Sequence, residues 1–398
     1  PHVAINGKLM LLLLAGILSI MSLTSTRATT SLAASDLKPY ALGFGERGPY
    51  GGGVGNVVLP SEEFKPAISH VSVTVRWSEL QPEKTTELKR SVIDTALAQV
   101  AAYDPTGNTK VRLRVFAGAQ SPAWLMREVG VVGLADPKFD KEAQVPRWWE
   151  PKMAQYYKNL QTKLAIAYDD PTARGASKYA GLVSEVVVSM TSDFYPEPLL
   201  RHTADATKGV ENQNALRRST YTLAKDEAAI KASIDAHAVW RKTRTNFAFN
   251  PYQYVLFNKD RTKVTYAEAG SVEHTKKFMD YFRARLGERA VFANDSLSPV
   301  SIYSDAKYRE MYTYMVNHPT PGAVALQTKV GGKLTYDEFK QTVDWVVASN
   351  ATASNKVISL EIPEMSFYTQ APYDLGELSG YNKHLLTSIA PSATLHTR

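Results

Sequence analysis

The sequence predicts a single (β/α)8 barrel. Eight short runs of strand-forming residues recur along the chain, helical patterns separate most of them, and no low-complexity linker divides them. The 398 residues, 44% of them hydrophobic and 21% charged, have the composition of an ordinary globular protein. A barrel with insertions occupies a chain of this length as one domain.

The first 34 residues are predicted to be a signal peptide and not part of the barrel. Lys8 precedes an apolar stretch over residues 9–23, and small residues around Ala33 and Ala34 follow it, which is the layout of a secretory signal. The stretch is shorter than the span of about 20 residues that a transmembrane helix needs; an uncleaved signal anchor is the alternative. The barrel is therefore predicted over residues 35–398 of a secreted protein.

The eight predicted strands share short length and, for the most part, a two-residue alternation of side chains. They are Ala41–Gly45, His70–Trp77, Val111–Ala117, Glu185–Thr191, Asn246–Asn250, Ala290–Asn294, Ala323–Thr328 and Val357–Ile362. Helical patterns between them cover Leu88–Tyr103, Met153–Tyr168, Lys225–Arg241, His274–Leu286 and Tyr336–Ala348. Strands that alternate with helices imply a parallel sheet, and eight such units indicate a closed barrel with long loops after strands three and four. An open doubly wound sheet is the alternative, but the glycine fingerprint that usually follows its first strand is missing.

Polar residues on the predicted inward faces lie near the C-terminal ends of the strands. Because side chains alternate across a strand, the apolar faces should pack on the helices and the mixed faces should line the interior. The C-terminal ends of barrel strands meet at one mouth, where active sites form, and a buried charge needs a partner or a task. A functional cleft is therefore predicted, with internal ion pairs such as Arg114 with Glu361 as the alternative. The inward polar residues are Arg76, Arg114, Asp193, Asn250, Gln327 and Glu361.

Several segments resemble secreted (β/α)8-barrel glycoside hydrolases. Residues 76–82, Arg-Trp-Ser-Glu-Leu-Gln-Pro, are similar to the Trp-x-x-Leu/Ile-x-Pro segment that follows the second strand of many such enzymes, and residues 121–125 are similar to their Pro-x-Trp segment. Glu197-Pro198 after the fourth strand resembles their Asn-Glu-Pro motif, with Pro196 in place of the asparagine. The resemblance covers most of residues 40–365 in the order of elements and does not single out one family.

The resemblance implies two carboxyl groups, as glycoside cleavage commonly requires. Glu197 corresponds to the acid/base, and its proline and aromatic neighbours favour the protonated form that suits an acid; Asp193 is the rival acid. The nucleophile of the largest clan is a glutamate ending the seventh strand, where this chain has Gln327. Glu361, on the eighth strand, is then the expected nucleophile or base, kept ionised by Arg76 or Arg114, with Glu364 as a weaker substitute.

The departure at Gln327 leaves three explanations open. The strand count is off by one, Glu361 serves from the eighth strand, or the chain no longer hydrolyses anything.

Sugar rings stack on aromatic faces, and their hydroxyls bind amides and guanidinium groups. The residues predicted to contact a carbohydrate are Arg76, Trp77, Arg114, Trp124, Trp148, Asn250 and Gln327.

The sequence contains few features that would support other kinds of chemistry. The chain has no cysteine, which excludes disulfides, thiolate metal sites and cysteine catalysis. Its eight histidines form no metal motif, and no esterase elbow is present, so no cofactor is expected. The net charge of +7 is spread along the chain, which favours neither nucleic acid nor a membrane as a partner.

A secreted, monomeric glycoside hydrolase acting on a poly- or oligosaccharide is therefore the predicted function. A non-catalytic carbohydrate-binding barrel is the first alternative, because of Gln327. A phosphodiesterase on the same fold is the second, although it would need a metal or paired histidines.

Overall fold

A computed structural model describes most of the chain. It covers residues 36–47, 57–84, 87–136, 141–203, 208–262, 264–266, 270–329, 334–362 and 375–389. The predicted signal peptide and Glu364 lie outside these residues. None of the helices in the described ranges is both long and apolar enough to span a bilayer.

Eight parallel strands close into a barrel, which confirms the predicted fold class. The order around the barrel is β1-β2-β3-β6-β7-β10-β11-β12, with β12 pairing back to β1. Two antiparallel hairpins, β4–β5 and β8–β9, lie in the connections after β3 and β7. The strands are β1 (Gly43–Glu46), β2 (His70–Arg76), β3 (Lys110–Phe116), β4 (Val131–Asp136), β5 (Lys141–Pro146), β6 (Val183–Val187), β7 (Arg244–Ala248), β8 (Val255–Phe257), β9 (Val264–Tyr266), β10 (Ala290–Leu297), β11 (Ala323–Thr328) and β12 (Lys356–Ile362).

Helices follow the barrel strands and cover their outer faces. The five predicted helices are present with shifted ends: α4, for example, begins at Pro151, whose missing N–H costs nothing in the first helical turn. Thr335 and Glu338 form a capping box that sets the start of α9. The helices are α1 (Trp77–Leu80), α2 (Ser91–Tyr103), α3 (Ala123–Val129), α4 (Pro151–Tyr168), α5 (Lys208–Arg218), α6 (Leu223–Ala236), α7 (Val272–Leu286), α8 (Ala306–Val316), α9 (Tyr336–Thr352) and α10 (Leu375–Ile389).

The apolar strand faces pack outward on these helices, as the alternation predicted. Phe247 and Phe249 contact Phe282 of α7, and their ring centroids lie 5.6 and 5.9 Å from the Phe282 centroid, respectively. Leu160 and Leu164 of α4 are buried in the same core. The core between barrel and helices is therefore apolar, which leaves the polar strand residues to the interior.

A charged cluster lies in the interior of the barrel. Arg112 Nε donates to Glu185 at 2.9 Å, and its guanidinium lies 3.6 Å from Glu361. Arg114 donates to both oxygens of Glu361 at 3.0 and 2.6 Å, and Ser72 donates to the same carboxylate. All of these side chains are almost completely buried. Two arginines thus face two glutamates in a closed network, which is the arrangement that a buried ion pair requires.

Candidate functional site

The mouth of the barrel carries a row of polar residues on neighbouring strands. The register that pairs Ala248 of β7 with Ala293 of β10, continued by two residues, places Asn250 beside Asp295. Gln327 of β11 comes next and donates its side-chain amide to the backbone carbonyl of Asp295 at 3.2 Å. Neighbouring strands lie about 5 Å apart, so Asn250 and Asp295 are adjacent at the rim.

A loop from Thr191 to Thr203 carries Glu197 over the end of β6. The guanidinium of Arg201 donates to the carbonyls of Thr191 and Pro198 at 3.1 and 2.8 Å, and the Thr191 hydroxyl donates to the same Pro198 carbonyl. Gln253 adds a backbone bond to Leu199. These hydrogen bonds join Thr191, at the start of the loop, to Pro198 and Arg201 near its end, and they fix the position of Glu197.

Arg201 is itself held by Asp226, a fully buried carboxylate at the start of α6. Two bonds of 2.9 and 2.7 Å join them. Asp226 also accepts hydrogen bonds from Tyr221, Tyr252 and Trp148. A charge with this many donors is well satisfied despite its burial, so Asp226 anchors the Glu197 loop to the helix layer.

Glu197 lies at the mouth with 6% of its surface exposed. Asn250 donates its amide to Glu197 at 3.2 Å and contacts the hydroxyl of Tyr308 at the same distance. The other amide atom of Asn250, Oδ1, is buried and has no partner among the described residues, so a hydroxyl donor can satisfy it. Burial and the Glu197 charge raise the pKa of Tyr308 to about 12, and its hydroxyl therefore stays protonated.

Asp193 is buried on the same loop and pairs with His202. Its Oδ2 lies 2.7 Å from Nδ1 of the imidazole, and its Oδ1 accepts from the backbone N–H of Phe194. His202 has a φ of 47°, a left-handed conformation that residues other than glycine rarely adopt. Burial lowers the pKa of His202, but Asp193 outweighs this effect, and Glu197 and Asp136 raise the pKa further.

Asp295 is a carboxyl group near the end of β10, with 8% of its surface exposed. The register between β10 and β11 shifts between Asn294 and Leu297, and such bulges re-aim side chains next to active sites. Asn294 holds this irregular backbone by bonding to the Phe249 carbonyl and to the Ser296 N–H. Burial raises the pKa of Asp295 above its ordinary value, against the opposing effect of Arg114. The group therefore holds its proton to a higher pH than an ordinary aspartate.

Glu361 lies near the C-terminal end of β12, in register with Gln327 of β11. Its side chain has no exposed surface. Burial alone would raise the pKa of Glu361, but Arg114 and Arg112 outweigh it and lower the pKa to about 2. The ionised state expected from the sequence is thus present, and the groups that maintain it also enclose the carboxylate.

The three predicted tryptophan platforms are packed into the protein. Trp77 is fully buried, with ring centroids 6.4 Å from Trp124 and 6.1 Å from Tyr157. Trp124 is 5% exposed and donates its indole N–H to the Gln81 carbonyl. Trp148 is buried over the guanidinium of Arg201 at 4.8 Å. Their faces are taken up by neighbouring rings and cations, so the structure gives all three a packing role.

The remaining predicted contacts separate into two groups. Asn250 bonds to Glu197 and Gln327 bonds to the Asp295 backbone, whereas Arg114 donates to Glu361, the register partner of Gln327. Arg76 precedes α1 and pairs with Glu79 at 3.6 Å, with 41% of its side chain exposed. The structure therefore brings Glu197, Asn250 and Gln327 to one rim and leaves Arg76 at the start of a helix.

Two site residues, Asp295 and His202, escaped the sequence analysis. The predicted sixth strand ended at Asn294, and one more residue of alternation would have placed Asp295 on the inward face. For His202 the only signal was its position five residues after Glu197, because no pattern marks a left-handed turn at a histidine. Among the described residues, no three histidine or carboxylate side chains are grouped as metal ligands.

The chain matches no protein-family model and no curated protein. Among solved structures, endo-glycoceramidase II from Rhodococcus sp., in a complex with a cellobiose-like imidazole, is 13% identical, with coverage of 81% of this chain and 74% of that one and a TM-score of 0.45. A GH5 xyloglucan-specific endo-β-1,4-glucanase from a metagenomic library is 13% identical, with coverage of 90% and 98% and a TM-score of 0.42. Thermotoga maritima Cel5A is 12% identical, with coverage of 89% and 99% and a TM-score of 0.41. Similarity at this level says nothing about activity, which is argued from this chain alone.

Proposed function

We propose that the protein is a secreted glycoside hydrolase that cleaves O-glycosidic bonds of a poly- or oligosaccharide with a pair of carboxyl groups and no cofactor. The proposal is supported by the hydrogen bond from Asn250 to Glu197 and by the strand register, which, continued by two residues, sets Asp295 next to Asn250. Asn250 and Tyr308 supply polar atoms between them, which suits a ligand rich in hydroxyl groups.

The surroundings of the two carboxyl groups differ in the way that acid/base catalysis requires. Asp295, with its raised pKa, suits the proton donor to the leaving oxygen. Glu197 accepts a hydrogen bond from the Asn250 amide, and a carboxylate that accepts such a bond suits the role of nucleophile or base. We therefore assign Glu197 to the attack on the sugar or on water, which reverses the role that the sequence resemblance implies for it.

Glu361 stays a predicted catalytic residue, but its contacts favour a supporting role. To meet a sugar it would have to leave Arg114, Arg112 and Ser72, and uncovering two buried guanidinium groups is costly. In its present place Glu361 balances the charge of Arg114, and both charges act on Asp295. We therefore take Asp295 as the second carboxyl group of the site.

Hydrolysis of a broad panel of plant, microbial and host glycans tests this assignment. We expect Glu197→Gln and Asp295→Asn to abolish turnover of a glycan that the wild-type protein cleaves, while both variants keep the wild-type unfolding midpoint. Glu211→Gln is the matched control, because Glu211 is exposed on α5. Full activity of Asp295→Asn, together with loss in a folded Glu361→Gln variant, would return the role to Glu361.

A carbohydrate-binding barrel without activity is the second candidate. Gln327 favours it, because this amide stands where the resemblance implies a nucleophile and is bonded to the backbone of Asp295. Saturable binding of one glycan without any turnover would support this candidate. Secretion is tested separately, by the amino-terminal sequence of the protein recovered outside the cell, which should begin near residue 35.

A further inference from the structure

We propose that Arg244 and Arg283 form a binding site for a small tetrahedral oxyanion, such as inorganic phosphate, at the N-terminal face of the barrel. Arg244 is the first residue of β7, and the side chain of Arg283, in the last turn of α7, reaches Ala290, the first residue of β10. This face lies opposite the mouth that carries the proposed hydrolase site, so the inference does not depend on that function.

Arg283 presents one complete edge of its guanidinium group to a ligand. Its Nη1 donates to the Ala290 carbonyl at 2.6 Å. Nε and Nη2 are buried and have no hydrogen-bond partner among the described residues, and the whole residue is only 1% exposed. Nε and Nη2 share one edge of the guanidinium plane, and this edge can donate two parallel hydrogen bonds to two oxygens of one anion.

The position of this edge is fixed by the groups that pack against the guanidinium. The ring centroid of Phe292, on β10, lies 4.2 Å from the Arg283 guanidinium carbon. Gly322, just before β11, leaves the space that the guanidinium occupies, because a Cβ atom added there would collide with it. The donor edge is therefore held in place before a ligand arrives, which lowers the entropic cost of binding.

Arg244 brings a second guanidinium group to the same short segment. Its Nη1 donates to the Glu288 carbonyl at 2.9 Å, two residues before the carbonyl that Arg283 binds. Cα atoms at this spacing are at most about 7 Å apart. The Nε of Arg244 is also buried without a partner in the described part of the chain, and the Tyr40 ring centroid lies 3.3 Å from its guanidinium carbon. Two cations with unused donors thus meet at one turn.

The protein does not balance these two charges nearby. Neither arginine forms an ion pair with a carboxylate of the described residues. Burial lowers the pKa of Arg283 to about 10, opposed by Tyr40, and burial also lowers the pKa of Arg244 against the effects of Tyr40, Glu185 and Glu288. Residues 1–35, which precede this part of the chain, contain no acidic residue. Water satisfies buried N–H groups but carries no charge, whereas an oxyanion both accepts the hydrogen bonds and compensates the cations.

Thermal unfolding in a series of phosphate concentrations tests the site, with chloride keeping the ionic strength constant. The Tm of the wild-type protein should rise along a saturating curve, by about 2 °C at roughly ten times the dissociation constant. General stabilisation by phosphate does not saturate in this way and acts on every variant. Arg285→Gln is the matched control, because Arg285 lies on the same helix with 48% of its side chain exposed, and it should keep the saturating curve.

Two variants locate the effect. Arg283→Met should lose the saturating rise and, in chloride alone, should be at least as stable as the wild-type protein, because it removes a buried charge that lacks a counterion. Arg244→Met keeps the donor edge of Arg283 and should raise the dissociation constant about tenfold, the loss of one charge-assisted hydrogen bond. If Arg283→Met does not fold, the shift in Arg244→Met decides the test.

An oxyanion retained through purification would occupy the site before the titration begins. Ion chromatography of the denatured wild-type protein detects such an anion and identifies it as phosphate or sulfate; Arg283→Met should release none. A wild-type protein that neither releases an oxyanion nor shows a saturating response to phosphate would overturn the proposal. So would a saturating response of the same size in Arg283→Met.

Discussion

Replacing Glu361 by glutamine removes the anion that faces Arg112 and Arg114 inside the barrel while it keeps the shape of the side chain. The cost follows from the structure in two ways. A pKa lowered from 4.5 to about 2 corresponds to roughly 3 kcal/mol, at about 1.4 kcal/mol per pKa unit. Breaking a buried ion pair on one side costs about 3–5 kcal/mol. We therefore expect Glu361→Gln to lose about 3 kcal/mol of the free energy of unfolding near neutral pH.

Urea unfolding followed by tryptophan fluorescence measures this loss. With an m-value of about 3 kcal/mol/M, the unfolding midpoint should fall by about 1 M. The pH dependence gives an independent check. Because the folded pKa of Glu361 is below its unfolded value, its contribution is complete above pH 4.5 and is lost as the pH falls toward 2. Wild-type stability should therefore decline over this range more steeply than that of Glu361→Gln.

The control is Glu211→Gln, which removes a carboxylate that is 56% exposed and only 3.8 Å from Lys208. Its midpoint should match the wild type, since exposed pairs contribute little. If Glu361→Gln is as stable as this control, and its acid unfolding follows the wild type, the closed network is not what holds Glu361, and the case for moving the second carboxyl role to Asp295 weakens.

Three further predictions concern the buried residues Asp226, Gly118 and His237. Asp226→Asn leaves the fully buried Arg201 without its anion and should cost about 3–5 kcal/mol in urea unfolding; a wild-type midpoint would contradict this. Gly118→Ala should destabilise the protein by about 1–3 kcal/mol, because Gly118 has a φ of 56° and an added Cβ would collide with the Asp193 carbonyl oxygen; a stable alanine variant would show that the backbone relaxes there. Burial, aided by Arg289, lowers the pKa of His237 to about 3. Below about pH 6.5 the histidine of the unfolded protein therefore binds a proton that the folded protein does not bind. The free energy of unfolding should fall from that pH toward pH 3. His237→Gln should flatten that part of the urea midpoint curve, and an unchanged slope would be the contrary result.

The strands of the barrel were predictable because each one is a local pattern. All eight predicted runs overlap an observed strand, since β-branched alternation reflects burial on one face wherever the strand lies. The fourth and fifth strands end earlier than predicted, at Val187 and Ala248. Beyond Val187 the Val188 N–H still bonds to the Asn246 carbonyl, but the Ser189 N–H bonds to the Tyr157 hydroxyl. A sequence pattern does not predict that exchange of partners.

The direction of the side chains was also predictable, but the groups that they contact were not. Arg114 and Glu361 were placed inward from alternation alone, and their ion pair was the alternative to a catalytic Glu361. The structure shows the pair closed by Arg112, which shares β3 with Arg114, and by Ser72 of β2. Whether a carboxylate is open or enclosed depends on neighbours that are distant in sequence, so alternation could not decide between the two.

The sequence by itself determined the barrel, its apolar outer faces and the presence of polar residues at one mouth, because these follow from residue period and composition. Only the tertiary structure decided which carboxyl groups are available there. It enclosed Glu361 between two arginines, shifted the strand register around Asp295 at the end of β10, and brought His202 against Asp193 through a left-handed turn. Each of these outcomes arises from contacts between segments far apart in the chain, which burial and charge pairing select only once the barrel has closed.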